Sequence, residues 1–174
     1  MSGPLMALLR LVHIVAGIFW VGSTLVLAGF LIPAIRAVGP SAGPLMSQLM
    51  RQQRLQRWIN ISMALAILAG LVLFAMDSRA GGAGFGRSPM GMALGVGALL
   101  AIIAAGVDGA MGRRAARKLG DLAQQMESQR GGGAPPAELV AQTGPLQARL
   151  ARALTISAWL LLLSASAMAV ARYL

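Results

Sequence analysis

The sequence contains no cysteine, one histidine (His13), one tyrosine and only five acidic residues among 174. The missing thiols exclude disulfides, thiolate metal sites and cysteine nucleophiles. A single histidine excludes any site that needs two from this chain. Charged residues make up 11%, against about 25% in ordinary soluble domains. That is too little charge for a soluble globular fold. A hydrophobic content of 57% likewise excludes a disordered chain.

What is present is long apolar runs. Residues 11–35, 58–76, 88–107 and 153–171 carry no formal charge and together hold 83 residues. At about 1.5 Å per residue each run spans about 28–37 Å as a helix, the thickness of a hydrocarbon core. The fold class that follows is all-α: an integral membrane four-helix up-down bundle in a single transmembrane domain, 1–174. Its spans are expected at about 5–35, 58–76, 89–111 and 152–172. A helical and linker region, 112–150, lies outside the membrane. Too little chain remains for a conventional soluble enzyme. The first run is too long for a signal h-region and has no charged segment before Arg10, so it is expected to be retained.

Punctuation between the runs is readable. Pro33 marks an end or kink of span one. Between Gly39-Pro40 and Trp58, residues Leu45, Met46, Leu49 and Met50 oppose Arg51 and Arg54, as in a short interfacial amphipathic helix. Span two ends before Asp77, and the glycine-rich stretch 77–88 reads as a flexible loop. Ser88-Pro89 provides an N-cap and a first-turn proline for span three. That span continues as helix through Arg113 to Gln125. The stretch Gly131 to Pro136 is a linker, and Gly144-Pro145 opens a polar lead-in to span four.

Fifteen basic residues give a net charge of +10. They flank membrane runs, which points to topology and anionic lipid rather than nucleic acid. Eleven lie in the two regions between spans one and two and between spans three and four, and four elsewhere. The excess belongs in the cytoplasm, so both termini face out. Arginine-, alanine- and glycine-rich usage fits a bacterial genome and hence the bacterial cytoplasmic (inner) membrane.

Close packing in lipid relies on small residues. Ser62, Ala66 and Gly70 form such a face on span two. Gly91, Gly95, Ala98 and Ala101 form one on span three, and Ser157, Ser164 and Ala165 on span four. On this reading, leucine at Gly95 disrupts the fold.

One constellation carries possible chemistry. His13, Gly17, Trp20, Thr24 and Leu31 share one face of span one. An imidazole inside a membrane needs a partner. That partner is either a serine or backbone carbonyl of a neighbouring helix, or the centre of a tetrapyrrole. In the second case the histidine is an axial ligand, with Gly17 admitting the flat ring and Trp20 packing on it. Cofactor-binding candidates are therefore His13, Gly17 and Trp20, for haem b or a chlorophyll-type tetrapyrrole. No catalytic set can be assembled. Asp108, five residues before Arg113, reads as an interfacial carboxylate neutralised by arginines. Met76, Met90 and Met92 gather near the depth of His13, where thioethers would suit Cu(I).

Leu11-Val12-His13, then Trp20 and Gly22, ending near Pro33-Ala34, resembles the first helix of small bacterial membrane proteins of the HemJ-type protoporphyrinogen oxidase and CopD-type copper-resistance groups. The resemblance covers about the first 75 residues. It implies a four-helix layout with a basic loop after span one, and a haem-ligand role for His13. This chain has neither the intramembrane lysine nor the further histidines of the HemJ-like pattern. The expected function is a non-catalytic accessory or structural subunit of a larger membrane complex, such as a respiratory or photosynthetic electron-transfer assembly. The alternative is a b-type haem protein with a redox or haem-handling role. Expected partners are the lipid bilayer, including anionic lipids, and other membrane subunits.

Overall fold

Each uncharged run lies within a helix, or runs of helix, that outlasts it, save Ser88, which caps the third. The computed structural model describes residues 3–39, 48, 54–129 and 136–174, and among these there is no strand. Four helices are long and apolar enough to cross a membrane: Gly3–Val38, Leu55–Ala80, Pro89–Met126 and Ala137–Tyr173.

The first begins as α1 (Gly3–Val26) and passes through a π-turn at Leu27–Leu31 into α2 (Ile32–Val38). The π-turn answers the Pro33 problem. Proline has no N–H to give to the carbonyl four residues back. In the widened turn the Ile32 N–H instead reaches the Leu27 carbonyl five residues back. The backbone therefore passes Pro33 without breaking, and the helix runs on to Val38. Gly39, at φ +68°, then turns the chain out of it.

Helix α3 (Leu55–Ala80) runs past Asp77. A charge ends an apolar run but leaves the hydrogen-bond ladder intact. The start of the stretch expected to be a loop is thus helical, and Gly82–Arg87 forms a 3₁₀ turn. Ser88 caps α4 (Pro89–Val107) as its sequence foretells: its Oγ accepts from the Gly91 N–H at 3.0 Å and donates to the Phe85 carbonyl at 2.7 Å. A side chain at Gly91 would run into that carbonyl. A second π-turn, Asp108–Gly112, leads into α5 (Arg113–Ser128). On α5, Ala115 and Leu122 are buried while Arg114, Arg117, Lys118 and Asp121 are exposed.

Helix α6 (Ala137–Val170) has 34 residues, about 51 Å at 1.5 Å each, and finishes in a 3₁₀ turn at Ala171–Tyr173. Pro145 lies inside this helix rather than opening a lead-in to it. Ala141, whose carbonyl loses its usual donor, is exposed along with Gly144 and Pro145. Apart from residue 48, the interfacial helix expected around Leu45 to Arg51 lies outside the described residues, as does the expected Gly131 to Pro136 linker up to Pro136.

The helices pack antiparallel in two close pairs, α1 with α3 and α4 with α6. A core of Ala16, Trp20, Leu27, Ile59, Ala66, Ala104 and Leu161 joins them. The α4–α6 seam is tight at Gly97. There an added Cβ would stand 2.7 Å from Met168 Cγ and 3.1 Å from the Ser164 carbonyl. At Gly95 the nearest atoms are on the Phe74 ring at 4.0 Å. The close approach expected at Gly95 therefore belongs to Gly97, two residues along and on another face. Ser157 and Ser164 are buried in this seam, whereas Ala165 is exposed.

Candidate functional site

His13 sits where the small-residue face of α3 meets α1. Its Nδ1 lies 2.7 Å from the Ala66 carbonyl oxygen. A carbonyl only accepts, so Nδ1 is the donor, and in a neutral imidazole Nε2 then keeps its lone pair. The ring occupies the notch that Gly70 leaves. A Cβ there would stand 2.7 Å from Cε1 and 3.0 Å from Nδ1. The signals for histidine and for the small stripe Ser62–Ala66–Gly70 were separate in the sequence; in the structure they are the two halves of one contact. One turn toward the N-terminus of α1, Arg10 and Asp77 form an ion pair at 3.8 Å, joining the same two helices.

The other two candidates diverge from His13. Gly17 is half-buried, and a Cβ on it would meet nothing within 4 Å. Trp20 is buried in the core, and its indole Nε1–H has no hydrogen-bond partner among the described residues. Thr24, one turn further, bonds back to the Trp20 carbonyl at 2.9 Å. The residues thus fit a tetrapyrrole in two respects. A metal-ligating histidine commonly donates its other ring N–H to a carbonyl, as His13 does. The orphan indole is a donor that a bound group would satisfy. Met90 and Met92 are exposed, and the described residues contain no cluster of three or more histidine or acidic side chains that could hold a metal ion.

The basic end of the bundle holds a second polar centre. The hydrogen-bond donor to Asp108 is a serine, and Arg113 acts on the carboxylate through its charge alone. Ser157 Oγ donates to Asp108 Oδ1 at 2.7 Å and lies 3.3 Å from the Ala104 carbonyl. The Arg113 guanidinium folds back over Gly109 instead. Asp108, Thr24, Gln56, Asn60 and Arg113 all line a cavity of about 40 Å³, room for about one water. Both π-turns contribute to it: Leu27 from the first, Asp108 and Gly112 from the second. π-turns inside α-helices are frequent at functional sites. Ser157 stood in the sequence as a packing residue; its hydroxyl gave no sign of which carboxylate it would meet.

Compared with known proteins, the chain matches no family model, no curated protein and no solved structure.

Proposed function

We propose that this chain is a non-catalytic integral membrane protein of the bacterial cytoplasmic membrane, acting as an accessory or structural subunit in a larger membrane assembly. An electron-transfer complex, respiratory or photosynthetic, is the favoured setting. In this reading both termini face outward and the arginine-rich end is cytoplasmic. One observation carries it. The reactive-looking side chains within the spans close onto neighbouring helices of the same chain: His13 onto Ala66, Ser157 onto Asp108 and Ser164 onto Gly97. Such bonds hold a scaffold together. The outer surface of α1 meanwhile offers Leu8, Leu11, Ile14, Val15 and Ile18, each more than half exposed, to lipid or to another subunit.

The test is purification from native membrane in mild detergent. Membrane subunits at fixed stoichiometry are expected in the sample. A monodisperse monomer without partners would overturn the subunit reading. A reporter fused after Leu174 should be active only outside the cytoplasm.

The free Nε2 of His13 and the orphan indole of Trp20 favour a second reading, a b-type haem protein of HemJ-like kind with a redox or haem-handling role. In it His13 would hold the iron, and Trp20 would pack against or bond the ring. A coloured preparation bleached by His13→Ala would establish this reading. A colourless protein that takes up no haem would end it.

A further inference from the structure

The chain from Arg54 onward has a bipartite groove. Arg54, Gln56, Arg57, Asn60, Ile61 and Ala64 line a shallow, largely open cleft of about 540 Å³. Its polarity changes along the axis of α3. At the helix start stand two guanidinium groups. Gln56 Nε2 donates to Asn60 Oδ1 at 3.1 Å, which leaves the Asn60 amide nitrogen to donate elsewhere. One to two turns deeper the lining becomes Ile61 and Ala64.

Residues 57, 61, 64 and 68 follow the three- and four-residue spacing of one helix face, and Arg54 caps the start of that helix. All five are exposed, Leu68 at 62%. Ala64 is the shallow point of this stripe, with Ile61 before it and Leu68 after it. In a spanning helix the stripe runs from the level of lipid headgroups into the acyl region.

We propose that this groove is a stoichiometric site for one anionic phospholipid. Arg54 and Arg57 hold the phosphodiester, with Asn60 donating to a headgroup oxygen, and an acyl chain lies across Ala64 between Ile61 and Leu68. Guanidinium groups pair with phosphate through two parallel N–H···O bonds. The pairing gains strength at the edge of a low-dielectric bilayer. A net charge of +10 attracts anionic lipid to the whole surface. The groove differs in having a place for the tail beneath the place for the phosphate. The proposal rests on the bilayer-spanning reading but not on the subunit reading.

The experiment is native mass spectrometry of the purified full chain in detergent, with phosphatidylglycerol, phosphatidylcholine and glycerol phosphate as probes. One retained phosphatidylglycerol is expected, bound at least tenfold more tightly than phosphatidylcholine. The double variant Arg54→Ala/Arg57→Ala should abolish that preference. Ala64→Phe, which fills the tail groove and leaves every charge in place, should weaken retention several-fold. Arg114→Ala/Arg117→Ala, on exposed positions of α5, should leave it unchanged. Circular dichroism and elution profile verify that each variant is folded.

Equal binding of the two lipids would overturn the proposal. So would an equal loss on removing Arg114 and Arg117, which would mean diffuse surface charge. Undiminished retention in Ala64→Phe, with glycerol phosphate competing as well as the lipid, would mean a phosphate site without a tail. Release of the chain from membranes by carbonate alone would refute the spanning reading itself, and is scored separately.

Discussion

The contact between His13 and Gly70 makes the sharpest prediction. Consider Gly70→Ala. The new methyl would stand 2.7 Å from His13 Cε1, where ordinary contact begins at 3.4 Å. The ring must retreat by about 0.7 Å, and α3 is the side it must leave. Its 2.7 Å bond to the Ala66 carbonyl then stretches beyond the N–H···O range, which ends near about 3.2 Å. Hydrogen bonds between membrane helices contribute about 0.6 kcal/mol on average and about 1.7 at most. Overpacking adds about 1–3 kcal/mol, and alanine's better helix propensity returns about 1. The net expectation is a loss of about 1–3 kcal/mol.

The same change in a His13→Ala background meets no ring. There it should be neutral, or stabilising by up to about 1 kcal/mol. The carbonyl of Ala66 still serves its own helix, so removing the imidazole leaves no orphan acceptor. The coupling should therefore be about 2 kcal/mol, larger than the scatter of independent sites. The assay is unfolding in mixed micelles with rising dodecyl sulfate, followed by circular dichroism and by tryptophan emission. If Gly70→Ala is equally harmful with and without His13, the imidazole does not fill that notch and the account of the α1–α3 seam is wrong.

Three further outcomes can be measured in the same way. Gly97→Ala should cost about 1–3 kcal/mol through overpacking against Met168 and the Ser164 carbonyl, whereas Gly95→Ala, with Phe74 at 4.0 Å, should be neutral or slightly stabilising. Ser157→Ala should lower stability by about 1–3 kcal/mol, because it strips a half-buried carboxyl group of its hydrogen-bond donor; Ser166→Ala, an exposed hydroxyl bonded within its own helix, serves as the control and should have little effect. Asp77→Asn should change stability by less than about 1 kcal/mol, an effect erased by salt, since the Arg10 side chain is 57% exposed and the pair is 3.8 Å apart.

Much of the architecture was legible because membrane spans announce themselves by absence of charge. The Ser88-Pro89 start was legible because capping is local chemistry. The helix ends were less so, for a physical reason: Asp77 ends an oily run without costing the backbone a hydrogen bond. Pro145 misled in the opposite direction. Its missing N–H would ordinarily stop a helix, yet the carbonyl it abandons belongs to exposed Ala141. Gly95 and Gly97 look alike in sequence, and only the rotation of α4 about its axis decides which one faces Met168. The partner of His13 required knowing which carbonyl of α3 lies opposite, a long-range fact that no local pattern encodes. For Asp108, nearness in sequence points to Arg113, which does line the same cavity, but not to Ser157, the hydrogen-bond donor that folding brings from 49 positions away.

The two π-turns have a consequence for how this chain tolerates change in length. Each holds one residue more than an α-helical turn needs. Deleting a single residue within Leu27–Leu31 would offer the backbone a return to plain α-helix. The membrane-crossing part of α1 would survive such a deletion. Because the wide turn already absorbs that surplus residue, everything beyond it would keep close to its present facing and move only about 1.5 Å along the axis. The Arg36 side chain, which now reaches the Gln147 carbonyl at 3.1 Å, would still point toward it. The same deletion from regular α-helix, one or two turns away, would instead swing the arginine-bearing end by about 100°.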